Sequence, residues 1–192
     1  SREVQFTPLG IDFTTGDEFR LEITQNYEYL DELFDIFDDV IIPVGAYTWW
    51  SGSAGFETSR SRPLSFETSF DTGEFFNGGR SEFDTGCTMN FSKHFSLSAD
   101  MTYNSITVGD RSFDTREFGG RLNANLSTRL TSRTFVQWNN ETREANLNFR
   151  IHFIPSIGSD IYLVYNHIWD GTRGYRTAYN AGISKIAWLV TF

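Results

Sequence analysis

Imidazole and thiol chemistry in this chain is limited to three histidines and one cysteine. His94 follows Lys93 in a turn-like stretch, His152 alternates with Arg150, and His167 sits between Tyr165 and Trp169. A Ser–His hydrolase needs its hydroxyl beside a base that a third polar group orients. No Gly-x-Ser-x-Gly elbow occurs, so each histidine reads as structural rather than catalytic. Asp31, Glu32, Asp35, Asp38 and Asp39 form the densest acidic run. Calcium favours several carboxylate oxygens on a flexible segment, but this spacing is not that of an EF-hand loop. A solvated acidic loop is the simpler account. Asp160 after Gly158 and Ser159 reads as a turn. The lone Cys87 excludes an internal disulfide and a cysteine-built metal site. No catalytic, cofactor-binding or metal-ligating residue is therefore assigned, and the chain is expected not to be an enzyme.

The elements that carry these residues are strands. Aromatics make up 17% of a chain that is hydrophilic on average, so its apolar side chains must be interleaved with polar ones. Residues Ala145, Leu147, Phe149, Ile151 and Phe153 alternate with Asn146, Asn148, Arg150 and His152, the period of a two-faced strand. Phe95 to Tyr103 and Arg121 to Arg129 repeat the pattern. The spacing predicts eleven strands, near residues 4–14, 19–30, 46–60, 64–76, 82–92, 95–107, 117–129, 133–140, 144–154, 160–169 and 182–192. Most match the roughly 9–11 residues a tilted strand needs to cross a bilayer.

A β-sandwich also alternates. Two features favour a membrane. The polar face is heavily charged, with Glu22, Glu28, Glu57, Glu67, Asp71, Asp84, Asp100, Arg121 and Arg150 expected to face a lumen. The apolar face places Tyr27, Tyr29, Trp50, Phe95, Tyr103, Trp138, Trp169 and Trp188 near strand ends, as interfacial girdles require. Only a closed sheet satisfies backbone groups in lipid, so the expected fold is an all-β, antiparallel transmembrane β-barrel. It is read as a single domain, 1–192, of about eleven to twelve strands.

Links at 170–181, 108–116 and 31–45 read as long outer loops, and those at 155–159, 130–132, 93–94, 61–63 and 15–18 as short inner turns. No histidine falls in the long loops, which removes an Asp–His protease built there. An odd count of eleven conflicts with the even number usual in bacterial barrels. Either a strand hides in Asp31–Gly45, around Asp38 to Pro43, or strands come from elsewhere. Asp31 to Asp39 alternates poorly, which favours a piece of a larger barrel.

Several segments carry a resemblance. Arg62 to Phe66, Asp71 to Gly78, Phe135 to Asn139, Asn148 to Arg150, Gly158 to Asn166 and the terminal Lys185 to Phe192 resemble the C-terminal barrel of a Bacteroidota-type outer-membrane protein family of unknown function. Members usually carry an upstream domain similar to family-nine carbohydrate-binding modules, absent here. The resemblance implies a Gram-negative outer membrane and a β-barrel, and carries no activity.

Three function classes follow. The first is a transport, pore or structural barrel. Acids on early strands and bases (Arg121, Arg129, Arg150, Lys185) on later ones suit a pore wall, while paired charges would equally fill an interior. The second is a barrel docking a partner protein through its outer loops or an open strand edge. A lipid-active enzyme is the most distant. Expected partners are outer-membrane lipid, the barrel-assembly machinery, and another chain or upstream segment completing the barrel. The net charge of −9, with no basic patch, argues against nucleic acid. Lys185, Ala187, Val190 and Phe192 are read as the assembly signal of a closing strand.

Overall fold

The structure, a computed structural model, describes residues 1–37, 40–172 and 174–189. Among the described residues every regular element is a strand: β1 (Arg2–Asp12), β2 (Glu18–Leu30), β3 (Phe34–Phe37), β4 (Val40–Ile42), β5 (Gly45–Glu57), β6 (Leu64–Phe75), β7 (Gly78–Asn90), β8 (Phe95–Val108), β9 (Arg111–Ser127), β10 (Leu130–Asn139), β11 (Glu144–Phe153), β12 (Asp160–Asp170) and β13 (Arg176–Ala187). Eleven of them form one sheet in the order β1-β2-β5-β6-β7-β8-β9-β10-β11-β12-β13; β3 and β4 pair only with each other. The expected all-β, antiparallel architecture is what the structure shows, with eleven strands in the large sheet and the β3–β4 pair in addition.

Alternation fixes the faces. In the β10–β11 ladder Val136 pairs with Leu147 and Thr134 with Phe149, while Phe135 opposes Asn148 and Arg133 opposes Arg150. A one-residue slip would exchange these faces, so the pattern specifies register. The Trp49–Trp50 pair shows the same logic: Trp50 points to the apolar face and is 52% exposed, whereas Trp49 points to the polar face and is 9% exposed.

The links differ from expectation. The predicted outer loop 108–116 is the two-residue turn 109–110, and 170–181 contracts to 171–175. β7 and β9 begin at Gly78 and Arg111, earlier than the expected 82 and 117. Only 31–44 is long, and it contains a hairpin of its own, with Phe34 opposite Ile42 and Asp35 opposite Ile41. That segment supplies no strand to the large sheet, because β2 pairs directly with β5 from Glu18–Glu57 to Leu30–Gly45. β13 runs 176–187 rather than 182–192. Beyond it the Leu189 amide donates to Ser159 Oγ at 3.1 Å, so these residues turn onto the 154–159 link instead of extending the ladder. Val190 and Phe192 of the expected assembly signal lie outside the described residues.

Two compact units divide the chain: Ser1–Arg60 with Phe66–Thr85 and Thr102–Thr115, and Ser61–Ser65 with Gly86–Met101 and Arg116–Phe192. The first holds a buried apolar cluster of Val40, Ile42, Ile106 and Val108, with Leu30, Ile36, Tyr47, Phe75, Phe76 and Phe113 packed against it. In the second, apolar side chains such as Leu122, Val136, Leu163 and Ile186 stay largely exposed along one face. A soluble fold would bury such a face; a lipid-facing sheet need not.

Candidate functional site

In the first unit the polar face is a set of carboxylate rungs. Glu18 opposes Glu57, and Glu57 opposes Glu67, three like charges side by side. Like charges directly opposite destabilise a sheet unless answered. Here Arg20 reaches Glu18 at 2.7 Å, and Arg60 reaches Glu57 at 2.6 Å and Glu67 at 3.3 Å. The hydrogen bond to Glu57 and the nearby charges hold the Arg60 guanidinium above its usual range. In the next rungs Glu22 opposes Ser53, which opposes Asp71. Gln5 donates to Glu22 at 2.5 Å.

Asp71, Glu82 and Asp84 bring carboxylate oxygens within 4.8 Å of one another. Three such oxygens could together ligate a hard divalent cation. The group already has protein donors: Thr102 donates to Asp84 at 2.6 Å, and Arg80 pairs with Glu82 while its Nε donates to Asn104 at 3.0 Å. Beside it opens a cavity of about 170 Å³ lined by Asn26, Trp49, Ser51, Asp71, Gly73, Phe75, Arg80 and Glu82 among others. Gly73 is required there, because a Cβ would collide with the Trp50 carbonyl.

The polar face of the second unit has a different charge balance. Arg133 lies directly opposite Arg150, and Arg121 lies 5.4 Å from the centre of the Phe135 ring. Amides supply much of the rest: Gln137 donates to Glu117 at 2.8 Å, Asn123 to Ser96 at 3.2 Å, and Asn148 to Asn166. Asp100 lies over Gly119, where any side chain would collide with its carboxylate.

The histidines do not converge. His94 Nδ1 is 2.6 Å from the Asn125 carbonyl in the 91–94 link. His152, on the polar face as expected, pairs with Asp160 at 2.7 Å and stacks on Tyr162 at 4.1 Å. His167 is on the apolar face, held by the Tyr165 hydroxyl at 2.7 Å and the Thr177 hydroxyl at 3.1 Å, and stacked on Trp169 at 4.0 Å. Trp138 donates to the Tyr175 hydroxyl at 2.7 Å and packs on Phe118 at 5.6 Å. These amphipathic rings at strand ends form a band of the kind that sits at a membrane interface. Cys87 is exposed on the apolar face of β7.

The strand pairings place Glu22, Glu28, Glu57, Glu67, Asp71 and Asp84 together on the polar face of the first unit. Asp100, Arg121 and Arg150 take that face in the second. Lys185 and Ala187 oppose Tyr162 and Asp160 in β13. Sequence reasoning missed Arg80, Glu82 and Arg133, although each keeps the parity of its strand. It also missed that Ile106 and Val108 occupy polar-face positions, a break in alternation visible in Asn104 to Val108.

No family model matches the chain, and no curated protein matches it. Two solved structures align along nearly its whole length. One is a KdgM porin in complex with disordered oligogalacturonate, covering 98% of this chain and 92% of that one at 10% identity with a TM-score of 0.36. The other is a KdgM porin covering 98% of this chain and 97% of that one, with the same identity and TM-score. The oligogalacturonate belongs to that complex. The resemblance to the Bacteroidota-type family has no matching family model behind it.

Proposed function

We propose that the chain is an outer-membrane β-barrel protein whose polar face lines a path for ions and small hydrophilic solutes. One observation carries this reading: in the β2–β5 and β10–β11 pairings a face rich in charged and amide groups lies opposite a face of exposed large hydrophobics. Water on one side and lipid on the other is the environment that suits both. Acids exceed bases on the first unit's polar face, while the Arg133–Arg150 pair marks the second, so the wall carries charge of both signs. Such walls select solutes by charge as well as by width.

A closed barrel of this type takes an even number of antiparallel strands. Eleven in sequence order leave β1 paired, among the described residues, only with β2 and exposed along its length. A further strand, from another chain or from additional sequence, would complete the sheet by edge pairing. The quoted segments support assigning the barrel to the Bacteroidota-type family and a Gram-negative outer membrane. Lys185 and Ala187 in β13, with Val190 and Phe192 after it, serve barrel assembly in this reading.

The test is single-channel recording of the purified full chain in planar bilayers. Stepwise currents support the pore; silence at every voltage overturns it. A lipid-active enzyme has one point in its favour, the Thr177 hydroxyl 3.1 Å from His167 Nε2 on the apolar face. Lipid hydrolysis lost on His167→Ala would establish it.

A further inference from the structure

The polar face of the first unit becomes apolar where it meets the β3–β4 hairpin. On β8, Thr102 and Asn104 share a face with Ile106 and Val108, yet the last two are 8% and 4% exposed. Opposite them lie Val40 and the fully buried Ile42 of β4. Tyr47 and Trp49 of β5 occupy polar-face positions as well, paired with Glu28 and Asn26. Apolar side chains on a water-lined wall are costly unless something covers them. For Ile106, Val108 and Tyr47 the hairpin is that cover.

The contact is built by aromatic rings as well. Phe76 adopts φ 49° in the link between β6 and β7, a left-handed conformation that a bulky residue rarely takes. Its ring meets Trp49 at 4.7 Å, Phe75 at 4.9 Å, Tyr47 at 5.2 Å and Phe34 of the hairpin at 6.3 Å. A strained residue persists where its surroundings over-determine it. Tyr47 also donates to the Pro43 carbonyl at 2.7 Å, tying down the chain just after β4.

We propose that the paired strands β3 and β4 are a fixed constriction, folded onto the polar face of the first unit. It narrows any path along that face and leaves the adjoining cavity at Trp49, Asp71 and Arg80 as polar space for ions and small solutes only. The proposal rests on the pore reading. An outer loop of the ordinary kind would be polar and would bury nothing; this one buries Ile42 completely.

The experiment uses the full chain in planar bilayers, comparing wild type with a protein in which residues 33–43 are replaced by a short Gly-Ser linker. Val108→Ser, which loosens the hairpin at unchanged chain length, serves as the second variant. Conductance rising several-fold in the replacement, or current appearing only there, supports the constriction. Equal conductance in wild type and replacement overturns it and leaves the pore reading standing. Silence from both overturns the pore reading and the constriction with it. Thiol labelling gives a second readout in a Cys87→Ser background. Ile41→Cys should react with an impermeant maleimide on intact cells, and Ile42→Cys should react only after unfolding. Equal reaction at the two positions overturns the packing itself.

Discussion

The ring of Phe76 packs 4.7 Å from Trp49 while its backbone holds φ 49°. Two opposed terms meet at this residue: conformational strain of about 1–2 kcal/mol and the burial of an aromatic face. Phe76→Gly removes both terms, and Phe76→Ala removes the packing but keeps the strain. Phe76→Ala is therefore expected to be the less stable variant, by about 1 kcal/mol. Urea unfolding of the detergent-folded protein, followed by tryptophan fluorescence, measures the difference.

Charges on the polar face should set ion preference. Asp71→Asn with Asp84→Asn should shift the reversal potential under a salt gradient toward anions, and Arg133→Glu should shift it toward cations. Both shifts should be largest at low ionic strength. They should nearly vanish at 1 M salt, where screening acts over about 3 Å. Selectivity unchanged at low salt would show that these side chains do not face the conducting path.

Leu163 lies mid-strand on the apolar face of β12 and is 47% exposed, whereas Asn166 of the same strand faces the polar side. Leu163→Arg should cost about 2–4 kcal/mol if that face meets the bilayer core. Asn166→Arg should be tolerated to within about 1 kcal/mol, with the guanidinium in water. Equilibrium folding into lipid vesicles distinguishes the two.

Deleting Phe192 should lower the amount of heat-modifiable, membrane-inserted protein without altering conductance of the molecules that do insert. Wild-type insertion levels would refute an assembly role for the terminal residues. The measurement is the ratio of folded to unfolded bands from outer-membrane fractions.

Much of the fold was legible because lipid on one side and water on the other impose a strict alternation. Ala145 to Phe153 shows it residue by residue, and the structure places that strand within one residue of expectation. Where the environment no longer differs between faces, the signal fades. Arg111 to Arg116 and Arg176 to Ala181 each hold a single large apolar ring, Phe113 and Tyr179, among polar and small residues, so no continuous apolar face forms and the beginnings of β9 and β13 read as loops although the ladder continues through them. The hairpin was hidden for a different reason. Its apolar partners Tyr47, Phe75, Ile106 and Val108 sit at positions where parity calls for polar groups, and only three-dimensional pairing shows what covers them. Arg133 stayed invisible as a partner of Arg150, because cross-strand neighbours depend on register and not on sequence distance.

The central claim, a sheet with lipid on one face and water on the other, is tested most directly by cysteine scanning along β11. In a Cys87→Ser background, single cysteines at residues 145 to 152 would be exposed in outer-membrane vesicles to a water-soluble thiol reagent and to a lipid-soluble one. Cysteines replacing Asn146, Asn148 and Arg150 should react with the water-soluble reagent, and those replacing Leu147, Phe149 and Ile151 with the lipid-soluble one. Labelling without a period of two, or equal reaction of both series with the water-soluble reagent, would contradict a membrane-spanning two-faced sheet.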